Sequence, residues 1–241
     1  MDTLPEPAAG FSTMSSAIEF ADNYNNWIVE SLLPYAGLRI LEVGTGQGNF
    51  RRYLPASQEY VSIDIDSQVI QRASQRDPEG HYFLANIADS TSLFELQKFE
   101  FDTILCTNVL EHIEDDHQAI KNMLSLLCPQ GKILLFVPAI PFLYSSMDKL
   151  AGHYRRYTKQ SLHRLVAGDS GGKVDCIEYF NPVGGVGWGL NKLLDHRSLD
   201  DNKINKQIEI FDKHIVPISK SLNYFTKSFF GQSLICVISK L

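Results

Sequence analysis

A glycine-rich turn near the start of the chain constrains its fold more than any other stretch. The apolar run at 40–43 predicts a buried strand, and glycines follow it at every second position, at Gly44, Gly46 and Gly48. Glycine tolerates positive φ angles and lets a ligand come close to the backbone. A helix that begins near Gly48 would point its free N–H groups into the same turn. Together these features predict a nucleotide-binding slot at the carboxyl edge of a parallel sheet.

The spacing of the glycines and one nearby acid narrow the kind of nucleotide. In the dinucleotide pattern G-x-G-x-x-G a pyrophosphate lies over the helix N-terminus, but here the third glycine comes one residue early. The carboxylate of Glu42 would repel a pyrophosphate and attract an ammonium group. The pattern E-x-G-x-G-x-G, which includes Thr45, resembles the cofactor loop of class I S-adenosylmethionine-dependent methyltransferases. The alternative is that the glycines only make a tight turn.

The acid at the end of the next strand suits a ribose. A strand is predicted at 60–64 and ends at Asp64. Its carboxylate can accept hydrogen bonds from both ribose hydroxyls. Asp66 is better placed to cap the helix predicted at 68–75. Ile65, between the two acids, would lie against the adenine face.

The third strand end extends the resemblance. A strand is predicted at 81–85, and Asn86 and Ile87 follow it. The resemblance implies that the Asn86 side chain takes the adenine amino group and that the backbone N–H of Ile87 takes a ring nitrogen. Asp89 is the rival for the first role, or only the cap of the next helix.

The fourth strand end carries the second strong match to the family. A strand predicted at 101–107 runs into the segment N-V-L-E-H-I, which begins at Asn108. The resemblance implies that Asn108 and Val109 lie beside the methionine part and the reactive sulfonium. His112 either contacts the ligand or makes a structural hydrogen bond.

Strands and helices alternate along most of the chain. This order predicts an α/β fold, a Rossmann-like doubly wound sheet with right-handed crossovers. The resemblance implies seven strands, the last of them antiparallel. The marked residues all follow strand ends, and the carboxyl ends of parallel strands meet at one edge of the sheet, where ligands bind.

A helix predicted at 18–35 precedes the first strand. Its apolar and aromatic residues recur near helical spacing, and they include Tyr24 and Trp27. Either the helix simply packs on the sheet, or one of these two rings closes over the cofactor.

The loop after the fifth strand is long, aromatic and basic. Residues 138–157 predict a lid over the acceptor, and the segment G-H-Y-R-R-Y resembles one subgroup of the same methyltransferases. His153 is the first candidate for a general base, because imidazole titrates near neutral pH. Tyr154 and Tyr157 are candidates for orienting the acceptor. The alternative is a stabilising cluster of ion pairs around the two arginines.

The domain organisation follows from these segments. We predict one methyltransferase domain over 1–241, with a flexible tail at 1–16 and a cofactor-binding core at 17–181 and 233–241. The stretch 182–232 is predicted to form a helical insertion over the acceptor pocket. Its aromatic residues could face the substrate, a lipid surface or a second subunit, which would make a homodimer.

Composition excludes several classes of protein. The net charge of −6 gives no global basic field for nucleic acid. The four cysteines form no C-x-x-C, so neither a zinc site nor a disulfide framework is predicted. No signal peptide is evident, and the longest apolar run is too short to span a bilayer. A cytoplasmic location is therefore expected.

The combined prediction is methyl transfer from S-adenosyl-L-methionine, with S-adenosyl-L-homocysteine as the product. The acceptor is expected to be a small molecule methylated on oxygen or nitrogen by in-line displacement. No cluster of metal ligands of the usual kind is evident, so the reaction is expected to be metal-independent. Two alternatives stay open: a nicotinamide-dependent oxidoreductase, and a cofactor-binding protein without catalysis.

Overall fold

A single seven-stranded sheet forms the centre of the computed structural model, which describes residues 21–46, 48, 50–54, 59–168, 171–191, 206 and 208–241. The strand order across the sheet is β3-β2-β1-β4-β5-β7-β6. The first five strands pair in parallel, and β7 runs antiparallel to both of its neighbours. The predicted Rossmann-like fold with an antiparallel last strand is confirmed. The strands are Arg39–Val43, Glu59–Asp64, His81–Leu84, Phe101–Thr107, Leu127–Pro138, Gly172–Phe180 and Ser233–Lys240.

Helices cover both faces of the sheet, which explains why its central strands are apolar on both sides. One face packs against α3 and α5 and the other against α1, so the buried residues divide into two clusters. The α-helices, α1 to α7, are Asp22–Leu32, Ser67–Arg76, Asp116–Leu126, Ser146–Leu150, Lys159–Val166, Pro182–Asn191 and Val216–Thr226. No helix among the described residues is both long enough and apolar enough to span a bilayer.

The strand register brings the predicted site residues to one level. Val43 of β1 pairs with Ile63 of β2 on one side and with Cys106 of β4 on the other. The residues that follow these three positions therefore emerge side by side at the carboxyl edge of the sheet. Gly44, Asp64 and the segment after Thr107 lie at this edge.

The helix predicted near Gly48 is wrong. Of the described residues between 44 and 54, only Arg51–Tyr53 are helical, and they form a short 3-10 turn. Gly44, Gly46 and Gly48 have φ angles of +85°, +50° and +73°, which a right-handed helix does not allow. The turn is thus longer and more open than the predicted turn, which ended near Gly48.

The N-terminal helix is shorter than predicted. After Leu32 the chain tightens into a 3-10 turn, Leu33–Tyr35, where Pro34 removes a backbone donor. The predicted residues 18–20 of this helix lie outside the described part of the chain, as does the whole predicted tail at 1–16.

The insertion between β6 and β7 is helical where the structure describes it. It begins with α6 and ends with a π-helical turn, Phe211–Ile215, that leads into α7, and residues 192–205 and 207 lie outside the description. Asp212 of the π-turn accepts hydrogen bonds from the backbone N–H groups of Asn23 (3.2 Å) and Tyr24 (2.8 Å). Because α1 has no side-chain cap of its own, Asp212 satisfies its free donors. The insertion thereby holds α1 in place.

Candidate cofactor and acceptor site

The first glycine of the turn makes room for the loop after β4. The N–H groups of Gly44 and Thr45 both donate to the Ile63 carbonyl, at 2.8 and 3.1 Å. A Cβ atom on Gly44 would lie 2.3 Å from a methyl group of Val109. Only glycine fits here, so Val109 packs directly on the turn.

The other two glycines face open space. A Cβ atom on Gly46 or Gly48 would meet no atom of the described residues within 4 Å. Both have positive φ angles, so the chain uses glycine for backbone conformation and leaves the space above the turn empty. This space lies where the sequence predicts the cofactor.

Glu42 is buried beneath the turn, only 1% exposed. Its Oε2 accepts hydrogen bonds from the hydroxyl groups of Tyr60 and Ser62 (2.9 Å from Ser62), while Oε1 has no partner among the described residues. Burial raises the pKa of Glu42 to about 7, although the two hydroxyl groups lower it in part. A cationic ligand group above the turn would favour the ionised form.

Asp64 links the end of β2 to the turn. Its carboxylate accepts from the N–H of Gly46 at 3.2 Å and from the N–H of Asp66 at 3.0 Å. Burial raises its pKa, against the effect of these hydrogen bonds. Asp66 caps α2 by accepting from the N–H of Gln68 at 2.8 Å, as predicted. Ile65 is 54% exposed beside them.

The loop after β3 uses its polar groups mainly on itself. The Asn86 amide oxygen accepts from the N–H of Ala88 at 2.9 Å, which leaves one lone pair for a ligand. Asp89 caps the following 3-10 helix through the N–H of Thr91, its alternative role. Ile87 is buried, and its carbonyl accepts from Asn122 at 2.7 Å.

The loop after β4 turns sharply at Asn108, which has a φ angle of +53°. The N–H of Asn108 donates to the Phe136 carbonyl of β5 at 2.8 Å. This turn carries Val109 onto Gly44 and starts the short 3-10 helix Leu110–His112. The predicted neighbours of the methionine part thus lie directly beside the glycine turn.

Trp27 lies in the apolar core, and Tyr24 is partly buried and packs against it. The Trp27 ring centroid is 3.9 Å from that of Phe180, and Tyr24 makes edge contacts with Phe136, Phe180 and Phe211. Burial raises the pKa of Tyr24 to about 12, so its hydroxyl stays protonated. The structure shows both rings packing on the core, Trp27 buried and Tyr24 partly buried, and their role over the cofactor stays a prediction.

The segment predicted as a lid is tied down at several points. Ala139 pairs with Tyr157 in a β-bridge, and α4 occupies the middle of the segment. Asp148 of α4 is fully buried and accepts from Arg156 Nε at 2.7 Å and from His153 Nδ1 at 3.0 Å. Burial would raise the pKa of Asp148, but these two groups hold it below its ordinary value. Around Asp148 and Arg156 the segment therefore forms a stabilising cluster of ion pairs, which was the alternative to a lid.

Tyr157 is not available as a catalytic residue. Its ring is buried, and its hydroxyl contacts the Asp116 carboxylate at 2.9 Å and the Leu110 carbonyl at 3.2 Å. Burial and the Asp116 charge raise its pKa well above the ordinary value. The prediction for Tyr157 is therefore corrected to a structural role. Tyr154 differs, because its side chain is 54% exposed.

His153 belongs to a group of three possible metal ligands that the sequence did not predict. Ligand atoms of Glu111, His112 and His153, here called the Glu–His–His cluster, all lie within 4.8 Å of one another. Burial raises the pKa of Glu111 to about 7, and burial together with His153 lowers that of His112 to about 4. The expectation that the chain has no cluster of metal ligands was wrong. The adjacent acid and histidine at 111–112 were the only signal, since His153 is far away along the chain.

Comparison with known proteins agrees with the geometry of the glycine turn. Residues 41–133 match a family model described as a methyltransferase domain. The polyketide synthase ThaQ of Burkholderia thailandensis is 29% identical over 161 residues, which are 56% of this chain and 8% of that protein. The ubiquinone biosynthesis O-methyltransferase of Xanthomonas euvesicatoria pv. vesicatoria is 30% identical over 112 residues, 44% of this chain and 46% of the relative.

Solved structures share the fold over nearly the whole chain. The S-adenosylmethionine-dependent methyltransferase of Mesorhizobium loti aligns with a TM-score of 0.61 at 16% identity, over 91% of this chain and 100% of that one. The N-methyltransferase NodS of Bradyrhizobium japonicum, in complex with S-adenosyl-L-homocysteine, gives 0.52 at 14% identity over 94% and 88%. The cyclase SpnF gives 0.55 at 15% identity over 91% and 80%.

The match over residues 41–133 and the shared fold support a class I S-adenosylmethionine-dependent methyltransferase.

The methyltransferase match covers the cofactor half of the chain more firmly than the rest. The family model ends at residue 133, before the loop that carries His153 and before the insertion. The chain also spans less than half the length of the two curated relatives named above. The methyltransferase fold is therefore shared over nearly the whole chain, whereas the family model reaches only the cofactor half.

Proposed function

We propose that the protein transfers the methyl group of S-adenosyl-L-methionine to an oxygen or nitrogen atom of a small molecule. One observation carries this proposal: the glycine turn, Asp64, Asn86 and Asn108 all come from different strand ends and converge on one edge of the sheet. These four positions each suit a different part of the same cofactor. They are a stronger signal than the fold, because one fold hosts many activities.

The residues present fit this cofactor. The open space over Gly46 and Gly48 would admit the ligand against the backbone, and the unpartnered Oε1 of Glu42 lies beneath it. Asp64 would accept from the ribose hydroxyls, and the exposed Ile65 would cover the adenine. When bound, the cofactor supplies a methyl group already activated by a sulfonium, so the protein mainly positions the reactants and excludes water. The S-adenosyl-L-homocysteine bound in the NodS structure supports the same assignment.

The acceptor would lie against the elements that follow β4, β5 and β6. Trp188 of α6 places its ring over the Arg156 guanidinium, 4.7 Å away, and His153 and Tyr154 lie on the same segment as Arg156. A small acceptor methylated on oxygen or nitrogen is supported by two proteins that this chain resembles, an O-methyltransferase of ubiquinone biosynthesis and the N-methyltransferase NodS. The acceptor's lone pair forms the new bond to carbon while the carbon–sulfur electrons return to sulfur.

A hydroxyl or amine acceptor must lose a proton in the course of the reaction, and His153 is our candidate to take it. Its Nδ1 is held by Asp148, so Nε2 carries the free lone pair that a general base needs. Tyr154, exposed next to it, would orient the acceptor.

The experiment compares cofactors first and turnover second. Calorimetry with S-adenosyl-L-methionine, S-adenosyl-L-homocysteine and NADH should show binding of the first two alone. Incubation with methyl-labelled cofactor and a metabolite extract should then give a labelled small molecule. NADH binding without S-adenosyl-L-methionine binding would favour an oxidoreductase. Binding without turnover of any acceptor would favour a non-catalytic protein or another reaction, as the fold of the cyclase SpnF illustrates.

A further inference from the structure

The strongest unexplained feature of the molecule is the carboxylate of Glu111. The residue is 0% exposed, and neither oxygen has a hydrogen-bond partner outside its own residue among the described part of the chain. Burying a carboxylate without partners is strongly unfavourable, and proteins usually keep one only where it is paired or binds a metal ion. Glu111 therefore points to a missing cation.

One group that faces the Glu111 carboxylate is a nitrogen without a proton. His153 Nδ1 lies 3.0 Å from Asp148, whose carboxylate accepts and so fixes the proton on Nδ1. Nε2 is then an acceptor, and it faces Oε1 of Glu111 at 4.0 Å. This distance is too long for a hydrogen bond. Two acceptors that face each other across such a gap are suited to hold a positive ion between them.

The third member of the cluster, His112, also has one ring nitrogen in a hydrogen bond and one that is free. His112 bonds to the backbone of Gly152. Its Nδ1 has no hydrogen-bond partner among the residues that the structure describes, so the bonded nitrogen is Nε2. The lone pair of Nδ1 is left free. The two imidazole rings meet edge to face, with their centroids 4.7 Å apart. Each histidine thus has one nitrogen fixed by the protein and one nitrogen available as a ligand.

We infer that Glu111, His112 and His153 together bind one divalent transition-metal ion. Two imidazoles and one carboxylate are a ligand set used by zinc and by non-haem iron, and such sites leave positions open for substrate. Ligand atoms about 2.1 Å from one ion lie about 3 to 3.5 Å apart, so small side-chain rotations would close the cluster from its span of 4.8 Å.

The surroundings of the cluster suit a metal site. Asp148 holds His153 as the carboxylate of a carboxylate–histidine–metal triad does, and Arg156 holds Asp148 at 2.7 Å. With both histidines neutral, Glu111, Asp148 and Arg156 sum to a charge of −1. A divalent ion would bring this to +1, which favours an anionic oxygen at an open position.

The cluster also lies in a useful place for the chemistry. Glu111 follows Asn108 and Val109 within one turn of chain, at the end proposed for the reactive methyl group. A metal ion there would bind the acceptor oxygen and lower its pKa. It would also occupy the Nε2 lone pair of His153, so in the metal-bound protein the ion would replace His153 as the group that activates the acceptor. This role rests on the proposed function, whereas the binding of the ion does not.

The test uses the full chain treated with a chelator and then titrated with Zn²⁺ and Co²⁺. Calorimetry should show one ion per chain, and bound Co²⁺ should give visible absorption bands. Glu111→Gln and His153→Gln should each lose metal affinity by more than about 100-fold, since changes to supporting residues alone cost 10- to 100-fold. His163→Gln, at an exposed histidine on α5, is the matched control and should bind as the unaltered protein does.

Binding of S-adenosyl-L-methionine, measured in parallel, separates this inference from the proposed function. Retained cofactor binding in Glu111→Gln and His153→Gln shows that these variants fold. If the unaltered chain binds the cofactor but no metal, the metal inference fails alone. Equal metal affinity in Glu111→Gln and in the unaltered chain would also overturn it. Metal binding without cofactor binding would leave this inference standing and remove the proposed function.

Discussion

Glu42 is an acid held in surroundings that favour its neutral form. It lies within the sheet under the glycine turn, with Tyr60 and Ser62 as its donors. A ligand cation would favour its charged form, so the side chain couples the stability of the free protein to the binding of the cofactor. The pH dependence of unfolding should report this coupling.

Between pH 5 and pH 8, the free energy of unfolding should fall less in Glu42→Gln than in the unaltered protein, because Glu42 contributes to that fall. Burial raises the pKa of Glu42 from 4.5 to about 7, so the native state binds this proton more tightly than the unfolded state. The stabilisation is complete below pH 4.5 and is lost as the pH rises through 7, by about 3 kcal/mol at 1.36 kcal/mol per unit. Urea unfolding of both proteins at pH 5 and pH 8 measures it. Equal pH dependence in the two proteins would contradict the prediction.

We predict that Gly46 matters more for cofactor binding than for the stability of the fold. Gly46→Val puts a side chain into the open space over the turn and strains a backbone with a φ angle of +50°. Gly171→Val is the matched control, with a φ angle of +75° and equally open surroundings far from the turn along the chain. Both changes should cost about 1–3 kcal/mol of stability, but only Gly46→Val should abolish cofactor binding in calorimetry. Normal binding by Gly46→Val would place the cofactor elsewhere.

Asp64 and Asp66 separate binding from capping. Asp64→Ala should weaken cofactor binding by about 1–3 kcal/mol, because a charged hydrogen-bond partner is lost. Asp66→Ala should cost about 1 kcal/mol of stability, because it removes the cap of α2, and should leave the affinity unchanged. Calorimetry and urea unfolding of both variants distinguish the two roles. If only Asp66→Ala lost cofactor affinity, Asp66 and not Asp64 would be the residue that binds the cofactor.

At the scale of elements, the strands were predictable and the acceptor side was not. The apolar run at 101–107 predicted β4 with the bounds that the structure has. The helix near Gly48 was wrong, because local pattern does not report a backbone with three positive φ angles. The pairing of Glu111 with His153 was also missed, since it depends on Asp148 and on the path of α4 between them.

The segment 138–157 should behave as a fixed support around Arg156. Arg156→Met leaves the buried Asp148 carboxylate without its cation and should destabilise the protein by about 3–5 kcal/mol. Arg155→Met is the matched control, because its ion pair with Asp116 is partly exposed and should cost about 1 kcal/mol or less. Urea unfolding measures both. Similar losses in the two variants would mean that Asp148 does not depend on Arg156.

At the scale of the whole molecule, one sheet edge collects the cofactor residues, and the insertion leaves the sheet after Phe180 and re-enters it at Ser233 on that same edge. The insertion reaches back to cap α1 through Asp212, so the two ends of the described chain support each other. It also presents three exposed aromatic rings, Tyr224, Phe225 and Phe229. Exposed aromatic rings can form an interface between subunits, so they support the proposal of a homodimer through the insertion. Sedimentation, which gives the mass in solution, tests it.

The antiparallel entry of β7 between β5 and β6 affects the order in which the protein can fold during synthesis. The first five strands can pair as they leave the ribosome, but β6 has β7 as its only neighbour in the sheet. Residues 181–232 separate these two strands, and at about 5–20 residues per second their translation takes about 3 to 10 seconds. For that time β6 and one edge of β5 lack a partner, and unpaired edges invite aggregation. The nascent chain is therefore most vulnerable while the insertion is being made, and a chaperone would act in that interval.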